Sequence, residues 1–167
     1  MRNVLRIIVI FLIVSVNIGC DQVSKTIVRE KIGYGGSIQL LNKHLTITKV
    51  ENSGAFLSLG DSWPPLLKSI LLLALPVMAI VLGFAYLLFK FNTPRLFVAG
   101  ACFIIGGGIG NIIDRMAYGS VTDFLHIRFG VFQTGIFNMA DVSVMVGAGL
   151  ILLNSFLQSR KDDGQFI

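Results

Sequence analysis

The sequence predicts an all-α transmembrane fold, a four-helix membrane bundle, and three observations predict it. Of 167 residues, 54% are hydrophobic and only 14% are charged, where a soluble domain carries about 25% charged residues. Mean hydropathy is +0.78. The apolar residues fall in four long blocks rather than alternating, and a block of about 18 or more reads as a bilayer span. The net charge of +5 is scattered along the chain. It forms no basic stripe of the kind that holds nucleic acid, so no nucleic-acid partner is expected.

The first span is expected over about residues 4–25. Val4 to Gly19 alone falls short of the roughly 20 residues that cover a hydrocarbon core about 30 Å thick. The helix is therefore expected to continue through Asp21 and Lys25, which lie i, i+4 on one face. Arg2, the apolar core and Gly19-Cys20 imitate a cleavable lipoprotein signal. Asn17, however, stands where such a signal has Leu, and three more spans follow, so this first helix is expected to be retained. Cys20 and Cys102 sit in apolar surroundings, with neither metal spacing nor a disulfide framework. Residues 33–63 form the extended extramembrane stretch. Ile38–Leu41 and Leu45–Val50 have strand character there, and 55–58 could form a third strand. Asp61-Ser62-Trp63-Pro64-Pro65 breaks the chain before the second span, with Trp63 at interfacial depth. The remaining spans are expected over about 66–89, 96–114 and 138–157, all within one membrane domain, 1–167. Pro76 is tolerable inside a span, and Gly100, Gly106, Gly107, Gly108 and Gly110 allow close helix approach or a local break.

Four spans leave both termini on one side. Lys90 and Arg95 flank the short link between the second and third spans, while Arg2, Arg6, Arg160 and Lys161 flank the outer spans. The positive-inside rule puts these groups in the cytoplasm.

Polar groups within a span cost several kcal/mol unless paired, and ionisable ones are functional candidates. Here they gather at one end of the bundle. Asp21 and Lys25 end the first span, Asn111, Asp114 and Arg115 end the third, and Asn138 and Asp141 begin the fourth. Asp123 lies in the link between the last two. Two carboxylates held close share one proton. One can then take a proton from water while the other donates to a carbonyl oxygen, which is peptide hydrolysis without a metal or a covalent intermediate. Asp123 and Asp141 are the pair that suggests this chemistry. Blander readings stand beside it: Asp21–Lys25 as a helix-end ion pair, Asp114–Arg115 as a structural clamp, Asn138 as a helix cap. His44 and His126 have no ligand-spaced partners and are expected at the surface.

In order along the chain, five elements resemble the lipoprotein signal peptidase (signal peptidase II) family. Asp21-x-x-x-Lys25 resembles the element that ends the family's first helix. Asn52-Ser53-Gly54-Ala55-Phe56 resembles its Asn-x-Gly-Ala-Phe/Trp loop. Gly107-x-x-Gly110-Asn111-x-x-Asp114-Arg115, Gly119-x-Val121-x-Asp123-Phe124 and Phe137-Asn138-x-Ala140-Asp141 resemble the other three. The resemblance runs from Asp21 to Asp141 with no departure at the key positions.

This resemblance implies an aspartic endopeptidase of the bacterial cytoplasmic membrane, with both termini cytoplasmic and the active site near the outer face. It implies cleavage of prolipoproteins just before the diacylglyceryl-modified cysteine of the lipobox. Asp123 and Asp141 would be catalytic, with no metal or other cofactor. Asn52, Gly54, Asn111, Asp114, Arg115, Asn138, Asp21 and Lys25 would bind substrate or support the dyad, Arg115 either through a substrate carbonyl or by bracing Asp114. The first loop would form a small extracytoplasmic β-cradle with a short interfacial helix. Membrane lipids and the cyclic peptide antibiotic globomycin, a substrate mimic, would be further partners of a monomer. Two rivals use similar residues. A proton-coupled transporter would place its carboxylates near the midplane with an inverted repeat, and neither is visible. A purely structural subunit does not explain polar residues gathered at one end.

Overall fold

The structure is a computed structural model that describes residues 2–33, 35–55 and 59–163. Its frame is four helices, each long and apolar enough to cross a bilayer. Helix α1, Arg2–Lys31, runs 30 residues without a break and carries Asp21 and Lys25 well inside it. Helix α2 spans Pro65–Phe89. Its course includes a wide π-helical turn, Ser69–Ala74, just before Pro76, a residue with no N–H to give the preceding turn. Helix α3, Arg95–Tyr118, starts after Pro94 and stops at Gly119. There φ is 75°, a left-handed conformation that glycine adopts without a Cβ penalty. Helix α4 runs Met139–Asp163.

Helix α3 forms the centre. Its Val98, Cys102 and Ile105 pack with Ile10 and Val14 of α1 and Leu87 of α2 in one buried cluster. Against α4 the packing is backbone to backbone. A Cβ on Gly100 would lie 2.7 Å from the Gly147 carbonyl oxygen, and one on Gly147 would strike the Gly100 carbonyl. Small residues join membrane helices in this way, where no hydrophobic force between helices is available. Large apolar side chains elsewhere on the spans, such as Leu5, Leu82 and Leu152, point outward, as suits helices surrounded by hydrocarbon.

The sheet differs from expectation. Strands β1 (Ser37–Leu40), β2 (Leu45–Asn52), β3 (Val121–Phe129) and β4 (Phe132–Gln133) pair antiparallel in that order. Half of it therefore comes from the link between α3 and α4, which the sequence reading treated as a plain connection. The third strand considered over 55–58 is not seen at Ala55, which sits in a bend, and 56–58 lie outside the described residues. The short helical turn Pro65–Lys68 runs straight on into the second span. Val28 of α1 and Ile32 just after it pack with Phe124 of β3, and Ile47, Leu125 and Met139 surround them. This small core seats the sheet on one end of the bundle and brings β3 beside the start of α4.

Candidate active site

The polar residues at that end form two connected layers. The inner layer is ionic and buried. Lys25 Nζ lies 2.8 Å from Asp21 Oδ2 and 3.2 Å from Asp114 Oδ2, and Arg29 Nη2 lies 2.8 Å from the same Asp114 oxygen. Two acids and two bases thus balance in a place where an unpaired charge would be costly. Gln22 Nε2 bridges Asp21 Oδ2 and Asp114 Oδ1, at 3.1 Å each. Backbone N–H groups complete the carboxylates: Ala140 donates to Asp21 Oδ1 at 2.9 Å, and Thr122 donates at 3.1 Å to the same Asp114 Oδ2 that meets Lys25 and Arg29. One cluster therefore ties α1, α3, the start of β3 and the N-terminus of α4 together.

Glycines let this layer close. A Cβ on Gly107 would collide with the Ala140 carbonyl, and one on Gly110 would lie 2.5 Å from Asp21 Oδ2. Gly107→Ala and Gly110→Ala are each expected to destabilise the fold by about 1–3 kcal/mol through overpacking, read as a lower Tm in detergent. Gly83→Ala, whose new methyl would meet only Ile105 at 3.8 Å, is expected to leave Tm unchanged. Equal Tm values for all three would remove the packing argument.

The outer layer faces a cavity of about 300 Å³ lined by Asn52, Asn111, Arg115, Asp123, Asn138 and Asp141 on its polar side and by Leu71, Leu72 and Pro76 of α2 on an apolar side. Asn138 and Asp141 form a reciprocal cap on α4. Asn138 Oδ1 accepts the Asp141 N–H at 3.0 Å, and Asp141 Oδ2 accepts the Asn138 N–H at 3.1 Å, the geometry of a capping box. The same Asn138 donates from Nδ2 to Asp123 Oδ1 at 2.6 Å. One residue thus holds both carboxylates, one through its backbone and one through its side chain. Asn111 Nδ2 donates to Asp141 Oδ1 at 3.0 Å, while Asn111 Oδ1 accepts Lys25 Nζ at 2.9 Å and Asn138 Nδ2 at 3.1 Å. Lys25 so links the ionic layer to the cavity.

Asp123 lies on β3 opposite Val50 of β2, two residues from the Val121–Asn52 pair. Asn52 closes its other side, donating from Nδ2 to Asp123 Oδ2 at 2.9 Å. With 5% of its surface exposed, the Asp123 carboxyl is pushed up to about 6. Burial is the main cause and the neighbouring Asp141 charge adds to it, against the opposing hydrogen bonds of Asn52 and Asn138.

All ten residues singled out from the sequence lie in these layers or touch them. Gly54 donates its N–H to Asn52 Oδ1 at 3.0 Å, and its carbonyl accepts Arg115 Nη2 at 3.1 Å. Arg115 thus grips the loop after β2 and not Asp114, which faces Lys25 and Arg29. His44 is exposed and donates from Nδ1 to the Arg128 carbonyl, but His126 is half-buried rather than a surface residue. Sequence reasoning missed Gln22, Arg29 and Thr122. Arg29 carried a readable signal, since it lies four residues after Lys25 and eight after Asp21 on one helical face.

Comparison with known proteins agrees with this architecture. The family model described as signal peptidase (SPase) II matches residues 11–157. The lipoprotein signal peptidase of Listeria monocytogenes serovar 1/2a is 34% identical over 92% of this chain and 97% of its own length. That of Paraburkholderia phymatum is 34% identical over 84% and 82%. A bacterial membrane enzyme solved by the in meso method at 2.3 Å resolution superposes with a TM-score of 0.80 at 23% identity, over 90% of this chain and 89% of that one, and so shares the fold. With four bilayer-length helices, a polar cavity at one end and a family match across most of its length, the chain belongs to the signal peptidase II family of bacterial membrane aspartic peptidases.

Proposed function

We propose that Asp123 and Asp141 are the catalytic dyad of a prolipoprotein signal peptidase that cuts just before the diacylglyceryl-modified cysteine. The observation that carries this reading is that both carboxylates line one cavity and are held by the same residue, Asn138. The dyad holds one proton and a water. The ionised carboxylate takes a proton from the water as its oxygen attacks the scissile carbonyl carbon. The protonated carboxyl gives its proton to the carbonyl oxygen. The tetrahedral intermediate then breaks: its nitrogen receives a proton from the dyad and departs as the amine of the lipid-bearing cysteine. A hydroxyl proton returns to the carboxylates as the new carboxyl of the signal peptide forms. Asn52, Asn111 and Asn138 orient the acids, and Arg115 keeps the Gly54 loop in place beside the peptide. Acyl chains of the substrate lie against the apolar side formed by α2 or in the lipid itself.

The site faces the outer leaflet and both termini are cytoplasmic, a reading supported by Arg6, Lys90 and Arg95 at the opposite end of the bundle. A monomer suits an enzyme that admits its substrate sideways from lipid. Globomycin acts in the same cavity as a substrate mimic. The test of the whole reading is a gel-shift assay of the purified chain in detergent on a diacylglyceryl-modified prolipoprotein. No cleavage by the wild-type chain, with its fold intact, sinks it.

The dyad also sets a pH profile. A working pair needs one proton, so kcat/KM falls as pH rises through the pKa that binds it, and this parameter reports the free enzyme. Burial pushes the Asp123 carboxyl up to about 6. The descending limb is therefore expected above pH 6, with a tenfold loss per pH unit beyond it. A kcat/KM that still climbs at pH 10 rules out the shared proton.

A further inference from the structure

The end of the bundle away from the dyad holds a second cavity, larger than the first, at about 610 Å³. On α1 its lining includes Arg6, about 22 Å along the helix from Asp21 at 1.5 Å per residue. Two arginines line it, Arg6 of α1 and Arg95 in the first turn of α3. Arg6 divides its labour. Its Nη2 donates to the Lys90 carbonyl at 2.9 Å and to Thr93 Oγ1 at 2.7 Å, bracing the α2–α3 link, while its guanidinium lies 5.5 Å from the centre of the Phe91 ring. Its Nη1 is buried and has no partner among the described residues. Arg95 makes no described hydrogen bond or ion pair and is exposed. Among the described residues no acidic side chain lines the cavity, and neither arginine has a carboxylate partner there. The unpaired N–H groups of the first turn of α3 add partial positive charge at the same place. Beside the arginines the wall includes apolar Leu5, Val9 and Val98.

We propose that this cavity binds one anionic phospholipid, its headgroup phosphate on Arg6 and Arg95 and one acyl chain along Leu5, Val9 and Val98. The charge selects an anion, and the apolar wall selects a lipid over a free ion. Basic pockets between membrane helices recognise anionic headgroups by this combination. Arg6 also holds the α2–α3 link, so a bound phosphate clamps the starts of α1 and α3 together. The lipid acts as a stabilising ligand remote from the chemistry.

The full chain is purified in neutral detergent, and its Tm is measured after adding phosphatidylglycerol, phosphatidylcholine or sodium phosphate at equal phosphate concentration. Phosphatidylglycerol is expected to raise Tm by on the order of 5 °C, as a ligand that binds only the folded state does. The other two are expected to do nothing. Arg95→Gln and Arg6→Gln should each lose at least half of the shift, and Arg160→Gln, outside the cavity, should keep it. Arg6→Gln also frees the link, so Arg95→Gln decides the matter if Arg6→Gln does not fold. Equal shifts from the two lipids overturn the proposal, as does a full shift in Arg95→Gln. A full shift from sodium phosphate alone makes the ligand a free anion and overturns the lipid. A dimer that dissociates in Arg95→Gln puts a second copy on this face and overturns it too.

Discussion

Asp123→Asn and Asp141→Asn should each lower cleavage of a diacylglyceryl-modified prolipoprotein by about a thousandfold or more, because each removes a proton donor or acceptor that positioned acid–base catalysis depends on. Stability separates this loss from misfolding. The amide is close to isosteric, and Asn at position 123 can still accept the Asn138 bond through its oxygen. Its pH dependence has a definite sign. The folded Asp123 carboxyl is pushed up to about 6, above the roughly 3.9 of an unfolded aspartate. The ionised form therefore burdens the fold at high pH, and the burden fades as pH falls from 6 towards 4. Relative to wild type, Asp123→Asn should thus gain Tm from pH 4 to pH 8, on top of a pH-independent cost from the Asn52 amide, which loses its acceptor at Oδ2. Either variant cutting at a tenth of the wild-type rate, or more, takes that aspartate out of the chemistry.

The spans and the polar end were legible because both are local patterns. Apolar blocks reveal helices in a bilayer, and Asp21, Asn111, Asp114 and Asn138 stand out against them. The β structure around Asp123 was harder to read. Leu125–Phe129 alternates apolar and polar residues, but Asp123 and Phe124 break that pattern, and the pairing with β2 joins residues 71 apart, such as Glu51 and Thr122, which no local window contains. Arg115 was misread in one alternative for a related reason. Its neighbour Asp114 looked like a partner, but adjacent residues on a helix point about 100° apart. Asp114 turns to α1, and Arg115 turns to the loop after β2. Gln22 and Arg29 draw their roles from the approach of α3, whose Asp114 they both meet, a contact no local pattern in α1 announces.

Lys25 is where stability and chemistry meet. Its ammonium is wholly buried, touches Asp21 and Asp114, and donates to Asn111, which in turn holds Asp141. Lys25→Met keeps the stem but leaves two buried carboxylates with one base, Arg29 on Asp114, to balance them. Breaking a buried pair by removing one partner costs about 3–5 kcal/mol, which for a chain of this size lowers Tm by about 10 °C. Activity should fall by about a hundredfold even well below the new Tm, because Asn111 keeps only the longer of its two donors, Asn138, and its grip on Asp141 loosens. Adding Asp21→Asn restores the charge balance of the cluster. The double variant should regain about half of the lost Tm while its activity stays low, since nothing has returned to Asn111. Near-normal cleavage by folded Lys25→Met would show that the Asn111 contact does not position the dyad. A double variant no more stable than Lys25→Met would show that charge balance is not what holds these helices together.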